Sequence, residues 1–587
     1  MRNAKIVCTI GPASDSPETL ESLAEAGMSV ARMNASHGTP EDRRTVIDRV
    51  RAVDETTDRP VAVMHDLPGP EIRTAPIDEK IRLEADSTVR FVEGREATPE
   101  EVGVSHSLTA VDPGDRILLD DGRIETTVES VDDEGVTVTV TVENGGELGG
   151  RKGVNVPGVE LGLPTVTEKD RQELEVAAEK EVDFVAASFV RDGKFVHEIS
   201  DTLAELGADI PIVSKIERDV AVDNIDSIIE ASYGVMVARG DLGVEMPLED
   251  VPMTQKRIIR KCQNAGVPVI TATEMLDSMT QNRRPTRAEA SDVANAVLDG
   301  TDAVMLSGET AMGAHPPLVV ETMDRIVRDV ERSDEYAAHV EQNVPAADAP
   351  QTDALARAAR YLVSDIDASA IVAASESGYT AQKVSKFRPS VPIVGSTPSD
   401  EVRRRLALSW GIVPETTPYT EAGASAIIEN AVQTALGTPA VDSGETVVVL
   451  SGMMTELDST NASNTLKIHV AAETVGSGEP VVEGVAVGPF HWAESGDLAT
   501  IPAGAIVGIH REFDGELTGD VEATAGIVDC REEASNDAIS LARQLGLPMV
   551  SAGDITGELN DGDTVTLDAE RGVIYGGEIR QIDTDAR

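Results

Sequence analysis

The chain has 587 residues, more than one hydrophobic core usually organises, so three or four domains are expected. Its 104 Asp and Glu residues against 50 Lys and Arg give a net charge of -54, which argues against nucleic acid or an anionic membrane as a partner. An ordinary acidic surface is one interpretation, but the size of the imbalance favours a protein that works at very high salt, where carboxylate repulsion is screened.

Eight short apolar runs each end in charged, hydroxyl or glycine residues. They cover residues 4–10, 28–33, 61–64, 182–187, 210–213, 234–238, 267–270 and 303–306. Runs this short and this rich in Val and Ile suit strands buried on both faces, and most intervening stretches are long enough for a crossover helix. The pattern predicts a parallel (β/α)8 barrel, in which the C-terminal strand ends build the active site of an enzyme.

Between the third and fourth barrel strands the pattern changes to short strand-like pieces. These cover residues 88–93, 116–119, 123–129 and 135–142, with turn signals at Asp121-Gly122 and Asn144-Gly145-Gly146. We therefore expect a small inserted β-barrel over residues 73–156, with the catalytic barrel formed by residues 1–72 and 157–340. An insertion after a barrel strand hangs over the active-site rim and can act as a lid.

Strand and helix patterns resume after the barrel. Strands are predicted at residues 370–374, 391–395 and 446–450, which favours a separate α/β domain over residues 341–473. A further β/α domain is expected over residues 479–587. In the first of these domains Ser375, Ser377, Gly378 and Thr380 follow a strand and open a helix. That loop is either a phosphate cradle built from backbone amides or a simple strand-to-helix turn.

The cysteines and the apolar segments bear on the compartment. Cys8, Cys262 and Cys530 are far apart and form no CxxC pair, so neither a disulfide framework nor a zinc site is predicted. No apolar stretch approaches the roughly 20 residues that span a bilayer, and the amino terminus has no cleavable hydrophobic segment. These features predict a cytoplasmic protein.

Eight motifs in one order identify a family. They are KIVCTIGPAS (5–14), RMNASHG (32–38), GPEIRT (69–74), KGVNVPG (152–158), IVSKIE (212–217), ARGDLGVE (238–245), PTRAE (285–289) and MLSGETA (305–311). Over residues 4–470 the chain thereby resembles the pyruvate kinases. The resemblance implies a barrel with an inserted lid and an α/β domain, usually as a homotetramer. It also implies transfer of the phosphoryl group of phosphoenolpyruvate to ADP, giving pyruvate and ATP.

The residues expected to carry the chemistry lie at strand ends. Phosphoryl transfer needs much charge neutralisation, and Glu217 and Asp241 can hold Mg2+ (or Mn2+) through few carboxylates. Lys215 lies two residues before Glu217, so both side chains project to the same side of an extended strand. The resemblance implies that Glu217 and Asp241 are the metal ligands and that Lys215 stabilises the transferring phosphoryl group and the enolate oxygen. It also implies that Arg239 and Gly240 help to bind substrate.

Arginines and a monovalent-cation site are expected nearby. Arg32 and Arg73 are suited to bind phosphate oxygens bidentately. The resemblance implies a K+ site whose ligands are the side chains of Asn34, Ser36 and Asp66 and the backbone carbonyl of Leu67. Here Leu67-Pro68 replaces the family's usual Thr-Lys, but only a backbone oxygen is needed. Glu71 supports the K+ site, because K+-independent members usually carry Lys at that place.

Two hydroxyls and two nucleotide contacts complete the predicted site. By resemblance, Thr273 and Ser307 deliver a proton to the enolate through water, although both could be plain strand-end hydroxyls. His37 and Lys152 match nucleotide-contacting positions. A lone His is more often structural, which makes His37 the weaker match of the two.

The tail, residues 479–577, resembles the swivelling phosphohistidine domain of phosphoenolpyruvate-utilising enzymes. Where that domain has Thr-Ser-His before its helix, this chain reads Ala534-Ser535-Asn536. Asn cannot form a phosphoramidate, so the nucleophile is absent and a structural or regulatory tail is expected.

Three other functions share part of this sequence pattern. A phosphoenolpyruvate synthase or dikinase would need the missing histidine and an ATP-grasp domain. A catalytically dead effector-binding protein is disfavoured, because Lys215, Glu217 and Asp241 are all present. A lyase or aldolase barrel that binds a 2-oxo acid through Mg2+ would share the two carboxylates but would not need Asn34, Ser36 and Asp66.

Overall fold

A computed structural model of the chain describes residues 1–132, 136–347, 351–419, 424–451, 465–493, 498, 501–513, 515, 517–518, 524–531, 535–555 and 559–579. Two compact units are present. The first comprises residues 1–348, 381–388 and 399–414, and the second comprises residues 349–380, 389–398 and 415–587.

Eight parallel strands close into a barrel in the first unit, as predicted. They are Lys5–Ile10, Val30–Asn34, Ala62–Asp66, Phe184–Ala187, Ile212–Ile216, Gly234–Ala238, Val269–Ala272 and Ala303–Leu306. Closure is made by the pairing of the first strand with the eighth, in register Lys5 to Ala303. Alternate side chains face opposite ways, because Val7 packs inside the barrel while Ile6 belongs to the core between strands and helices.

Helices cover the outside of the barrel. Those described are Pro17–Ala26, Pro40–Asp54, Glu168–Glu179, Gly193–Glu205, Asp219–Asp223, Ile225–Ala231, Arg239–Glu245, Val251–Ala265, Arg287–Leu298, Gly308–Ala311, Pro316–Glu331 and Asp334–Gln342, with 3-10 turns at Leu248–Asp250 and Asp277–Thr280. Local sequence fixes where several of them begin. Thr167 caps the helix Glu168–Glu179 and forms a capping box with Asp170, which aligns the first turn of that helix beside the barrel rim.

The inserted segment is all β. Its strands are Ile72–Arg73, Ile81–Leu83, Thr88–Glu93, Glu101–Val104, Arg116–Leu119, Ile124–Val131, Thr137–Asn144, Gly146–Leu148 and Gly153–Asn155. Seven of them form one sheet, and the other two pair as a ribbon. An isolated bridge between Thr74 and Val104 joins the two ends of the seven-stranded order, so the sheet curls round on itself. This is the arrangement that a small β-barrel requires.

A five-stranded sheet follows the catalytic barrel. Its order is Ile412–Thr416, Ile393–Thr397, Ala370–Ala374, Glu445–Ser451 and Thr465–Ala471, with the last strand antiparallel. Helices in this part of the chain are Gln351–Asp365, Tyr379–Lys386, Asp400–Leu406 and Ala424–Leu436. All three predicted strands are present, although the second lies two residues later than predicted.

The tail forms a second closed barrel. Its strand order is Thr474–Val482, Met549–Ile555, Gly526–Asp529, Ile506–Ile509, Val485–Trp492, Thr564–Asp568 and Val573–Gly576, and a helix lies at Asn536–Leu545. The first of these strands begins five residues before position 479. Tyr575 and Ile579 of the tail pack against Val470 and Ala472, so the tail shares an apolar cluster with the end of the five-stranded sheet.

Two further findings concern the cysteines and the membrane. Cys8, Cys262 and Cys530 are buried and unpaired. Across the ranges given above, no helix combines the length and the apolar character needed to cross a bilayer.

Candidate active site

The C-terminal strand ends bring four predicted residues together. Lys215 Nζ lies 2.7 Å from Glu217 Oε1 and 3.5 Å from Asp66 Oδ1. On the other side of Asp66, Oδ2 accepts from Arg32 Nε at 2.6 Å and lies 2.5 Å from Arg32 Nη2. The Lys215 side chain is only 11% exposed and that of Asp66 only 1%. Two cations and two carboxylates therefore share one desolvated site, where their mutual electrostatic effects are strong.

These neighbours set the protonation states. Burial would raise the pKa of Asp66, but Arg32 and Lys215 hold the pKa of that carboxyl below its ordinary value. Burial would likewise lower the pKa of Lys215, yet Asp66 and Glu217 outweigh burial and raise the pKa. Lys215 is thus a fixed positive charge at neutral pH, able to face an anionic group.

Glu217 and Asp241 carry less compensation than Asp66. Burial raises the pKa of Glu217, and the Asp241 charge adds to the effect against the opposing pull of Lys215. Burial also raises the pKa of Asp241, with Asp121 and Glu71 adding negative charge nearby. Carboxylates that repel one another in a desolvated place fit a divalent cation, because the cation would supply the missing positive charge.

The predicted monovalent-cation ligands come from adjoining strand ends. Asn34 is the register partner of Asp66, and the Asn34 side chain accepts a hydrogen bond from Ser36 N at 3.0 Å. The carbonyl of Leu67 accepts from Ser188 Oγ at 2.7 Å, and Ser188 Oγ accepts from Lys215 Nζ at 2.9 Å. Sequence reasoning missed Ser188 as a link between the Leu67 carbonyl and Lys215. Its place directly after the fourth strand was the available signal.

Thr273 and Ser307, at the ends of the seventh and eighth strands, are held by hydrogen bonds that involve backbone groups. Thr273 Oγ1 accepts from Gly240 N at 2.8 Å, and Thr273 O accepts from Arg239 Nη2 at 2.7 Å. Thr273 has a φ of +73°, so its conformation is strained and must be held by its surroundings. Ser307 N donates to the buried Glu309 at 2.6 Å, and Leu276 N donates to the same carboxylate at 3.0 Å. Glu309 was missed from the sequence, although it joins the Thr273 loop to Ser307.

Three predicted residues are engaged outside this cluster. Arg73 Nη2 lies 2.7 Å from Glu71 Oε2, and Arg73 Nη1 donates to Arg151 O at 2.9 Å. Lys152 Nζ lies 2.7 Å from Asp120 Oδ1 in the lid. His37 is exposed at the end of the second strand. In the part of the chain that the structure describes, none of these three side chains forms an ion pair with Glu217.

The predicted loop of the second unit has the expected placement. Ser375, Ser377 and Gly378 follow the strand Ala370–Ala374, and Thr380 lies in the helix Tyr379–Lys386. Gly378 has a φ of +75°, which favours glycine at this turn. Ser375 N donates to Ser396 O at 3.1 Å, so the loop is tied to the neighbouring strand. The loop therefore lies between a strand and a helix as predicted, and its role as a phosphate cradle for an effector stays a prediction.

Three families match successive parts of the chain. The pyruvate kinase barrel domain matches residues 1–320, the pyruvate kinase alpha/beta domain matches residues 353–469, and the mobile domain of PEP-utilising enzymes matches residues 501–572. Pyruvate kinases of Staphylococcus aureus strains MRSA252 and USA300 are each 40% identical to this chain over 583 residues. The similarity covers 98% of this chain and 99% of each relative, so it extends through the tail.

Proposed function

The chain belongs to the pyruvate kinase family, and we propose that its barrel rim transfers the phosphoryl group of phosphoenolpyruvate to ADP, giving pyruvate and ATP. The observation that carries this proposal is Lys215, buried between Asp66 and Glu217 where the strands end. Purified protein given phosphoenolpyruvate, ADP and Mg2+ in concentrated KCl should form pyruvate in an assay coupled to lactate dehydrogenase. Absence of pyruvate would contradict the proposal.

Electrostatic stabilisation by charged side chains is the main catalytic contribution in this reaction. The bond between phosphorus and the enol oxygen breaks while an ADP oxygen bonds to phosphorus, leaving the enolate of pyruvate. Lys215 and Arg32 offer fixed positive charge to the phosphoryl oxygens and to the enolate oxygen. Asp66 holds both cations in place through its paired contacts. The desolvated setting makes these charges act more strongly than they would in water.

A proton must then reach the methylene carbon of the enolate. We assign its delivery to the Thr273 and Ser307 hydroxyls acting through water. Thr273 is oriented by Gly240 N and Arg239, and Ser307 by Glu309. The Thr273 hydroxyl accepts from Gly240 N, and the backbone N–H of Ser307 donates to Glu309, so both strand ends are fixed before substrate binds.

Two cations are proposed for the site. Glu217 and Asp241 would hold Mg2+ or Mn2+, which supplies positive charge to the substrate oxygens when bound. Asn34, Ser36, Asp66 and the Leu67 carbonyl would hold K+. Arg73, His37 and Lys152 are assigned to the nucleotide, on the assumption that ADP displaces the contacts of Arg73 and Lys152 with Glu71 and Asp120.

Activity and thermal stability should fall as salt is diluted. The net charge of -54 makes the surface repel itself, and the Debye length grows from about 3 Å at 1 M to about 10 Å at 0.1 M salt. The measurement is the melting temperature and kcat across a dilution series of KCl.

A parallel series in NaCl at the same ionic strengths is the control. It should protect the fold as well as KCl does but support less activity, because K+ also fills the proposed site. Full activity in dilute buffer lacking K+ would contradict both the high-salt setting and the cation site.

Deleting the tail should leave kinase activity measurable. The cut belongs after Ala472, because the tail's first strand begins at Thr474. Loss of Tyr575 and Ile579 exposes Val470 and Ala472, so the melting temperature should drop by several °C. Asn536, where the resemblance places the phosphoacceptor, begins the tail helix, and the N-cap residue Ser535 accepts from Asp537 N.

Labelled phosphoenolpyruvate tests the tail directly in the full chain. Without ADP, 32P should give no acid-labile, base-stable label on the tail. Such a label would show that another residue, for example His491 or His510, accepts the phosphoryl group. An inactive truncated protein that is still folded would equally contradict a non-catalytic tail.

The cellular compartment and the oligomeric state of the protein are also proposals. Three buried, unpaired cysteines support a reducing cytoplasm. The family's usual homotetramer is the expected assembly, which light scattering in concentrated KCl would test.

A further inference from the structure

A buried charged group lies behind the proposed site and has no part in the chemistry given so far. Glu173 Oε2 lies 3.0 Å from His65 Nε2 and accepts from Arg43 Nε at 2.7 Å. The second carboxylate oxygen of Glu173 accepts from Arg43 Nη2. His65 is fully buried, Glu173 is 1% exposed and Arg43 is 5% exposed. The three residues, here called the relay, come from the third barrel strand and from two different helices.

The contacts fix the direction of the hydrogen bonds. Burial would raise the pKa of Glu173, but the hydrogen bonds from His65 and Arg43 lower it, so the carboxylate is ionised and can only accept. His65 therefore donates through Nε2, and its buried Nδ1 has no partner among the described residues.

The relay leads to both loops of the proposed cation site. Arg43 Nη1 donates to His37 O at 2.7 Å, which anchors the loop that carries Asn34 and Ser36. His65 immediately precedes Asp66 in the strand. Both loops are thus connected through a single carboxylate, that of Glu173.

The helix that carries Glu173 also contacts the loop that follows Asp66. Asp170, one turn earlier, accepts from Gly69 N at 2.9 Å. Gly69 has a φ of +71°, and a Cβ there would lie 2.8 Å from Ser188 Cβ. The loop after Asp66 is therefore pinned closely between this helix and Ser188, whose hydroxyl contacts the Leu67 carbonyl.

We propose that Arg43, Glu173 and His65 are positioning residues that fix the 34–38 loop relative to Asp66 and Leu67. In this way they set the affinity for the monovalent cation and for the nucleotide at His37. The cation part rests on the proposed K+ site. Stability alone is a poor account of the relay, because a buried ion pair often contributes no more than apolar residues of similar size. A positional role is the better explanation for burying three polar side chains behind the site.

The test uses Glu173→Gln and His65→Leu in the full-length enzyme. The K+ activation constant should rise about tenfold, as expected when a residue that orients metal ligands is removed. The KM for ADP should rise severalfold as well. The KM for phosphoenolpyruvate should change little, because Arg32 and Lys215 hold Asp66 independently of the relay.

Asp324→Asn is the matched control. It breaks a part-buried ion pair by the start of the first strand, Arg2 with Asp324 at 3.1 Å, together with the contact of Arg328 with Asp324 at 2.6 Å, both away from the rim. It should lower the melting temperature without moving the K+ constant or the ADP KM. Arg43→Lys is the second variant, should Glu173→Gln fail to fold. It keeps the charge but loses the bidentate contact, so it should still raise the ADP KM.

The outcomes separate the two proposals. If the activity of the wild-type enzyme does not depend on K+, the proposed cation site is overturned. The KM for ADP of the variants then still tests the positioning role of the relay. Variants that lose stability like the control, yet keep wild-type constants for K+ and ADP, would overturn the relay alone.

Discussion

Replacing Lys215 with alanine is expected to lower kcat by about 10³-fold or more while phosphoenolpyruvate binding is largely retained. The reason is that Lys215 meets the phosphoryl group and the enolate oxygen with a charge that matters most as negative charge develops. The structure places that charge 2.7 Å from Glu217 and 3.5 Å from Asp66, so its position is fixed before substrate arrives. Steady-state kcat and equilibrium binding of phosphoenolpyruvate are the measurements.

Lys5→Ala controls for the loss of a buried lysine. Lys5 Nζ donates to Ile412 O at 2.6 Å by the start of the first barrel strand, and burial lowers the pKa of Lys5 to about 7. This variant should lose stability and keep a kcat of the wild-type order. If Lys215→Ala retains wild-type turnover, or if both variants lose turnover equally, the catalytic role of Lys215 is refuted.

The second large effect concerns the divalent cation. Glu217→Gln should raise the Mg2+ or Mn2+ concentration needed for half-maximal activity by about 100-fold. Gln keeps an acceptor for Phe189 N, which now bonds to Glu217 Oε2 at 2.6 Å, so the local backbone is preserved. What changes is the negative charge that would face the metal. Activity titrated with Mn2+, together with the paramagnetic resonance of bound Mn2+, measures the shift.

Glu71→Gln is its matched control. Glu71 adds to the negative charge around Asp241 but is not a proposed ligand. Its loss should weaken Mn2+ binding far less than the loss of Glu217. Equal weakening by the two variants would mean that the carboxylates only attract the cation, and Glu217 would no longer be assigned as a ligand.

The barrel could be predicted from the sequence because each of its strands is marked by a pattern of neighbouring residues. Each parallel strand is buried on both faces, and its polar residues follow at one end, so short apolar runs reveal both strand and rim. The two-residue spacing in a strand also predicts that Lys215 and Glu217 project to one side, and Lys215 Nζ lies 2.7 Å from Glu217 Oε1. The tail's first strand was partly missed, because residues 474–482 contain glycines and polar residues that interrupt an apolar run.

Contacts between distant parts of the chain could not be predicted. Glu173 meets Arg43 across 130 residues and His65 across 108, and no periodicity carries such a pairing. The same holds for Ser188, which reaches Leu67 O from 121 residues away. Arg73 shows a further limit, because its residue type indicates phosphate binding while its partner in the structure is Glu71.

The most direct test of the proposed site is a crystal structure of the enzyme with phosphoenolpyruvate, Mn2+ and Tl+ in the absence of ADP. Anomalous scattering distinguishes the two metals, and without ADP the substrate cannot turn over. We predict Mn2+ on Glu217 and Asp241, Tl+ on Asn34, Ser36, Asp66 and the Leu67 carbonyl, and the phosphate beside Lys215 and Arg32. Mn2+ bound away from Glu217 and Asp241, or phosphoenolpyruvate bound away from Lys215, would contradict the account.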